Sequence, residues 1–257
     1  MTLSPTDWHA RFSQQARWTQ DLRNYLYTRA GLSTAKRVLD VGCGTGALLP
    51  ELISGRQSSV IGLDISHNSL SYAQSANSVA CLLCGDAHNL PFVDRSFDIT
   101  LCHFLLLWVS NPIRVLEEMV RLTKPGGVVL AIAEPDYGGR IDYPPELERL
   151  GILQELSLRQ QGADTRLGRR LAAMFTQVGL NSIEFGVLGG QWRNSQTHVD
   201  WQTEWDLLIS DLESISRKEI YLPTQEELDE LAIIDRQASL RGERVLFVPT
   251  FYAWGKV

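Results

Sequence analysis

Short aliphatic and β-branched runs alternate with helical patterns through the middle of the chain. Residues 37–41 (Arg-Val-Leu-Asp-Val) read as a buried strand that ends at glycines. The pattern then predicts a short helix over 46–54, a second strand over 59–64, and a helix capped by Ser66 that runs to 76. A third strand is expected over 79–84 and a fourth over 97–103. A helix over 111–122 follows, with Pro112 at its first position, then a turn over 124–127 (Lys-Pro-Gly-Gly) and a fifth strand over 128–134. Strands and helices alternating at this spacing imply right-handed βαβ crossovers and a parallel sheet.

The pattern changes after Glu134. Residues 135–145 are rich in Pro, Gly, Asp and Tyr and read as a loop. Helices are predicted over 146–161 and over 164–178, the second stopped by Gly179. A strand over 181–188, helices over 196–216 and 224–240, and a last strand over 244–254 complete the chain. At the front, 5–30 reads as helical and carries Trp8, Phe12, Trp18, Tyr25 and Tyr27. No linker, repeat or low-complexity stretch divides these pieces, so a single decorated domain over 1–257 is expected.

Composition narrows the function. The 257 residues include 24 Lys+Arg and 30 Asp+Glu, a net charge of −6, with 44% hydrophobic residues. A chain that tracks phosphates carries a basic field or stripe, and the Lys/Arg runs here do not exceed two, as at Arg169-Arg170. No nucleic-acid partner is expected. The longest near-apolar run, 101–109, is half a membrane span and contains His103, and the N-terminus lacks a signal-peptide pattern. No membrane partner is expected. Cys43, Cys81, Cys84 and Cys102 form no disulfide pattern, which predicts a reducing, cytoplasmic setting. Cys81 and Cys84 stand three apart within a strand and so face opposite sides, which makes them core fillers rather than a metal or redox pair.

The densest signal is Val38-Leu39-Asp40-Val41-Gly42-Cys43-Gly44-Thr45-Gly46. Glycines at a strand end let the backbone turn sharply and approach a ligand closely. Gly42, Gly44 and Ala47 also satisfy a dinucleotide-binding fingerprint, so glycine spacing alone is ambiguous. Asp40 discriminates. A carboxylate two residues before the loop repels a pyrophosphate in a partly dry site and attracts an ammonium. S-adenosylmethionine has that ammonium and no phosphate. Asp64, closing the second strand, is placed to accept from ribose hydroxyls, and Asp86 follows the third strand, where it could accept from an adenine amino group.

The stretches VLDVGCGTG (38–46), GLDIS (62–66), GDAHNLPF (85–92), SFDITLCHFLLLWV (96–109) and EEMVRLTKPGGVVLAIAEP (117–135) occur in an order and spacing that resembles the class I S-adenosylmethionine-dependent methyltransferases, a group that includes the ubiquinone and menaquinone methyltransferases. The resemblance implies a Rossmann-like, doubly wound α/β sheet of seven strands, mostly parallel with the last antiparallel, plus helical insertions at the N-terminus and in the C-terminal half. It divides the domain into an N-terminal helical cap (1–35), a cofactor-binding core (36–136), acceptor-side helices with strand six (137–243) and a closing strand (244–257) beside the fifth. It also implies that Asp40, Gly42, Cys43, Gly44 and Gly46 hold the methionine part of the cofactor, and that Asp64 holds the ribose. Ile65 would pack on adenine, Asp86 and Ala87 would meet the adenine edge, and His103 and Phe104 would face the sulfonium. Leu107 and Trp108 stand where the family often has a histidine, so that residue's role does not transfer.

Methyl transfer mainly needs an aligned acceptor, because a sulfonium already activates the methyl group. His103, at the carboxyl end of strand four, is the catalytic candidate, with a strand-end histidine bonded to backbone as the competing reading. His67, His88 and His198 read as solvated. Strand four lacks an Asn/Asp-Pro-Pro-Tyr/Phe sequence, so a small-molecule acceptor is expected, and no metal. Trp8, His9, Phe12, Trp18, Glu134, Tyr137 and Trp201 are the candidates to meet it, Trp192 and Trp205 adding to the aromatic count. Packing onto the sheet competes with an apolar lid for these aromatics. A nicotinamide-dinucleotide oxidoreductase and a non-catalytic cofactor-binding module remain as alternatives. Asp40 and the lack of a Tyr-x-x-x-Lys pair oppose the first.

Overall fold

The computed structural model describes residues 4–54, 59–76, 81–187, 198–213, 215 and 222–257. Trp192 and the ends of several expected elements (79–80, 188, 196–197, 214 and 216) lie outside them. In chain order the elements are α1 (Pro5–Trp18), α2 (Gln20–Arg29), β1 (Arg37–Val41), α3 (Leu49–Ile53), β2 (Ser59–Asp64), α4 (His67–Ala76), β3 (Cys81–Cys84) and β4 (Phe97–Cys102). There follow α5 (Pro112–Leu122), β5 (Thr123–Pro135), β6 (Ile141–Tyr143), α6 (Glu148–Gln160), α7 (Leu171–Gln177), β7 (Asn181–Val187), α8 (His198–Glu213), α9 (Gln225–Arg241), β8 (Val245–Phe247) and β9 (Thr250–Lys256).

The chain gathers into two compact units. The first comprises Met1–Glu134, Leu167–Leu188 and Thr250–Val257. Its sheet has seven strands in the order β3-β2-β1-β4-β5-β9-β7. β1 pairs in parallel with both β2 and β4, and β4 with β5, while β9 runs antiparallel to β7. The expected Rossmann-like sheet is present, mostly parallel with one antiparallel strand. β1 is buried over four of its five residues, as a strand covered on both faces must be. Strand order reverses between β1 and β4, which opens a crevice at their carboxyl ends. The core beneath includes Leu26, Val38, Leu49, Ile99, Leu130, Ile132 and Trp254.

Local chemistry explains most boundaries. Ser4 and Asp7 form a reciprocal capping box at the start of α1, with Pro5 in its first turn. The predicted helix over 5–30 is two helices, because Thr19 leaves helical geometry and turns its hydroxyl back to the carbonyls of Gln15 (3.1 Å) and Ala16 (3.3 Å). Asn111 caps α5 by accepting from the Arg114 N–H. The expected turn over 124–127 is absorbed into β5 as a bulge. Phe97 pairs with Thr123 and Ile99 with Val128, so the intervening residues loop out of the ladder. The helix expected over 164–178 forms only at Leu171–Gln177, preceded by a 3-10 turn at Gly168–Arg170. Cys81 and Cys84 are exposed, not core fillers, because β3 is an edge strand paired to β2 alone. All four cysteines are unpaired.

The second unit comprises Pro135–Arg166 and Gly189–Pro249. The stretch expected to be a loop over 135–145 contains β6, paired antiparallel with β8. The last strand expected over 244–254 is therefore two strands. Pro249, which has no N–H for a ladder, separates β8 from β9 and accepts the Asp136 N–H on its carbonyl at 2.8 Å. Leu147, Leu150, Leu153, Leu208, Leu212 and Ile215 form this unit's apolar core. Beside it lies a buried charged network. Asp235 accepts from the Trp201 indole (2.9 Å) and from Arg244 (2.9 Å), and Arg140 pairs with Asp142 at 2.6 Å. Among the described residues no helix is long and apolar enough to cross a membrane.

Candidate active site

The glycine loop leaves β1 at the crevice. Gly42, Gly44 and Gly46 have φ of +74°, +53° and +78°, a region that side chains with a Cβ rarely adopt. Close approach adds to the requirement at two of them. A Cβ on Gly42 would lie 2.6 Å from Leu105 Cδ1, and one on Gly44 would lie 2.9 Å from Phe12 Cε2. The loop's first N–H groups are already used. Gly42 and Cys43 both donate to the Leu63 carbonyl, at 2.7 and 3.0 Å, and Gly44 donates to Asp64 Oδ2 at 2.8 Å. Asp64 Oδ1 accepts from Ser66, also at 2.8 Å, so one carboxylate ties the end of β2 to the loop.

Asp40 lies beneath the loop with 2% of its surface exposed. Burial, then the Asp64 and Glu51 carboxylates, push its pKa up to about 7. All three influences disfavour the anion, so the pocket calls for a cation. Burial, then Asp40 and Asp64, also raise the Cys43 thiol, which stays protonated. Next to the loop, Ile65 is 73% exposed, an aliphatic surface at the end of β2. Asp86 and Ala87 follow β3. Asp86 is exposed, and two bonds from His88 hold its carboxyl below the usual range. His88, expected to be solvated, is bonded at both ring nitrogens because α5 starts beside it.

At the end of β4, His103 Nε2 lies 2.9 Å from Thr19 Oγ1 and its ring packs edge-on against Phe104 at 4.6 Å. Burial, then the Arg23 guanidinium, lower the His103 pKa to about 3, so the imidazole is neutral. Arg23 is itself buried and holds Glu51 through two bonds, at 2.6 and 2.9 Å. Phe104 has φ +53° and donates its N–H to the Ala133 carbonyl. Glu134, at the end of β5, is fully buried. It accepts the N–H groups of Leu105, Leu106 and Leu107 at 2.9–3.1 Å, which anchors the 3-10 turn Leu106–Trp108. Burial raises its pKa to about 7 against the pull of those three bonds. It was expected to reach an acceptor, yet both its oxygens face backbone.

A profile for the methyltransferase domain matches residues 39–131. A demethylmenaquinone methyltransferase of Bacillus licheniformis is 31% identical over 209 residues, covering 74% of this chain and 88% of that protein. The chain belongs to the class I S-adenosylmethionine-dependent methyltransferases. It is a transferase with S-adenosylmethionine as its cofactor and a small molecule as its acceptor. Two solved structures share the fold. The YcgJ protein of Bacillus subtilis has a TM-score of 0.58 at 18% identity, covering 92% of this chain and 98% of that one. A phosphoethanolamine N-methyltransferase of Haemonchus contortus has a TM-score of 0.57 at 16% identity, covering 92% and 52%.

In this methyltransferase the N-terminal aromatics divide. Phe12 lies over Gly44, the Trp8 ring meets Phe12 in a tilted contact at 5.5 Å, and His9 Nδ1 is 2.9 Å from the Thr45 hydroxyl. Trp18 is 51% exposed. Tyr137 and Trp201 belong to the second unit. Trp201 is buried there, stacked on Trp205 at 6.0 Å with its N–H on Asp235, so packing accounts for it. Sequence reasoning missed Thr45, Leu105, His88 and Thr19. Only the first three lie inside motifs that it singled out. Among the described residues no cluster of three His, Cys, Asp or Glu side chains is arranged to hold a metal.

Proposed function

We propose that the crevice at the carboxyl ends of β1–β4 seats S-adenosylmethionine, and that the acceptor is a small, planar, apolar molecule. The observation that carries the first part is the buried Asp40 under a loop whose leading N–H groups are spent. A dinucleotide's pyrophosphate needs free N–H donors at such a loop. An ammonium needs the carboxylate instead. In this reading Asp40 and the loop from Gly42 to Gly46 hold the methionine end. Asp64 faces the ribose, Ile65 covers one face of the adenine, and Asp86 with Ala87 meets its edge.

When bound, the cofactor supplies an electrophilic methyl group on a sulfonium. The chain's own work is positioning and water exclusion. His103 and Phe104 bound the space beyond the sulfur with a neutral imidazole and a ring, which suits a centre that loses positive charge. His103 is a weak base at that pKa, and Glu134 is committed to three N–H groups. Neither removes an acceptor proton at neutral pH, so the acceptor is one that reacts without help from them. The Bacillus relative's name points to a quinone-derived ring, whose reduced, hydroxylated form is planar, apolar and electron-rich enough to take a methyl group and sets the class to try first. The unpaired cysteines fit a reducing cytoplasm.

The test is direct. S-adenosylhomocysteine raises the melting temperature while NAD and NADP do not, and a labelled methyl group passes from S-adenosylmethionine to a hydroxylated, electron-rich aromatic such as a quinol. Stabilisation by NAD alone overturns the cofactor assignment. Transfer confined to charged, non-aromatic acceptors overturns the acceptor class.

A further inference from the structure

The segment after β3, residues 85–92, is clamped onto α5 more firmly than a surface loop requires. Glu118 Oε2 accepts the Leu90 N–H at 2.8 Å, Arg121 donates to the Leu90 carbonyl at 2.9 Å, and Arg114 Nε donates to the His88 carbonyl at 3.1 Å. His88 joins the two sides. Its ring Nδ1 is 2.7 Å from Asp86 Oδ1, and its backbone N–H donates to the same oxygen at 2.9 Å. Its Nε2 is 3.2 Å from the Asn111 backbone nitrogen and 3.3 Å from Ser110 Oγ. A main-chain amide can only donate, so Nε2 is bare and the ring proton sits on Nδ1, aimed at Asp86. Both His88 bonds fall on Oδ1, and Oδ2 is left outside them.

We propose that His88 is a positioning residue for cofactor recognition: it fixes the Asp86 carboxylate so that Oδ2 is presented to the exocyclic amino group of the adenine. This rests on the reading of Asp86 given above. A side chain half exposed at the end of an edge strand otherwise samples several rotamers, and each lost rotamer is an entropic cost at binding. His88 sets that rotamer before the cofactor arrives. It transmits to Asp86 the position of the first turn of α5, through Asn111.

The experiment compares two ligands by calorimetry: S-adenosylhomocysteine, and S-inosylhomocysteine, in which a 6-oxo group replaces the amino group. The intact protein prefers the adenosyl ligand by about tenfold, the scale of one hydrogen bond to a charged group. H88A weakens the adenosyl ligand about fivefold and leaves the inosyl ligand unchanged, so the preference collapses. H88N, whose amide nitrogen can stand near the place of Nδ1, restores most of it. A merely structural His88 weakens both ligands equally, and that result overturns the proposal. D86A separates the two ideas. Preference lost in D86A but intact in H88A overturns the role of His88 and leaves Asp86 standing. Preference intact in D86A overturns both.

Discussion

Asp40→Asn isolates the electrostatics of the cofactor seat. In the ligand-free protein the carboxyl titrates at about 7, against 3.8 when solvated. That difference corresponds to ~4 kcal/mol of added cost for the ionised form. The sign follows from linkage. Below about pH 4 the group is neutral both folded and unfolded and carries no penalty. Between about 4 and 7 the folded state holds a proton that the unfolded state has lost, so stability falls as pH rises, and it levels off above about 7. Asn carries no charge to desolvate, so the variant without ligand is more thermostable than the wild type at pH 8, by up to ~4 kcal/mol. Cofactor binding reverses the balance, because an ammonium beside Asp40 favours the anion and expels the proton. S-adenosylhomocysteine therefore binds about 25-fold more tightly at pH 7.5 than at pH 5.5, with about 0.9 proton released at pH 6. Calorimetry in two buffers of different ionisation heat measures both quantities. Asp40→Asn binds roughly 10- to 100-fold more weakly at pH 7.5 and loses the slope. Glu134 also titrates at about 7 and is the internal control. A full pH slope retained in Asp40→Asn would assign the proton to Glu134 and refute the role of Asp40.

Three further outcomes follow from the same geometry. Because the His103 pKa is about 3, the rate of methyl transfer shows no limb near pH 6.5, and His103→Asn costs less than about tenfold in kcat; a loss above about 100-fold marks it as a base after all. Gly42→Ala forces a Cβ to 2.6 Å from Leu105 at φ +74°, and a thermal melt registers a destabilisation of about 1–3 kcal/mol together with loss of S-adenosylhomocysteine binding; an unchanged binding isotherm contradicts the need for glycine there. Asp235→Ala strands Arg244 and the Trp201 indole, and denaturant unfolding followed by tryptophan fluorescence shows a loss of about 3–5 kcal/mol in the second unit; a shift below about 1 kcal/mol shows that the network is dispensable.

The cofactor half was legible because its constraints are local. A glycine is needed wherever φ is positive, and Gly42, Gly44 and Gly46 are each at such a position. A strand buried on both faces must be continuously apolar, and 38–41 announces both its own burial and the exception at Asp40. The same locality gave the capped start of α4, where the Ser66 hydroxyl accepts the Ser69 N–H, whereas the caps made by Asn111 and Thr224 came only from the structure. Legibility ended where partners are distant in the chain. Glu134 looked free to reach a substrate, and only the return of β5 beside β4 brings it onto the three N–H groups of 105–107. His103 looked like a strand-end base until α2 and the end of α1 folded over it and supplied Thr19 and Arg23. Cys81 and Cys84 had the right period for a core strand, but whether a strand is central or at the edge is a property of the sheet. His88 stood inside a motif, and its meaning came from α5, whose first turn turns a solvated imidazole into a one-tautomer strut. Sequence alone thus determined where the backbone must turn and where a carboxylate stands at the glycine loop. Tertiary structure decided which polar groups stay available for chemistry, because a hydrogen-bonding group is free or spent according to what is packed against it.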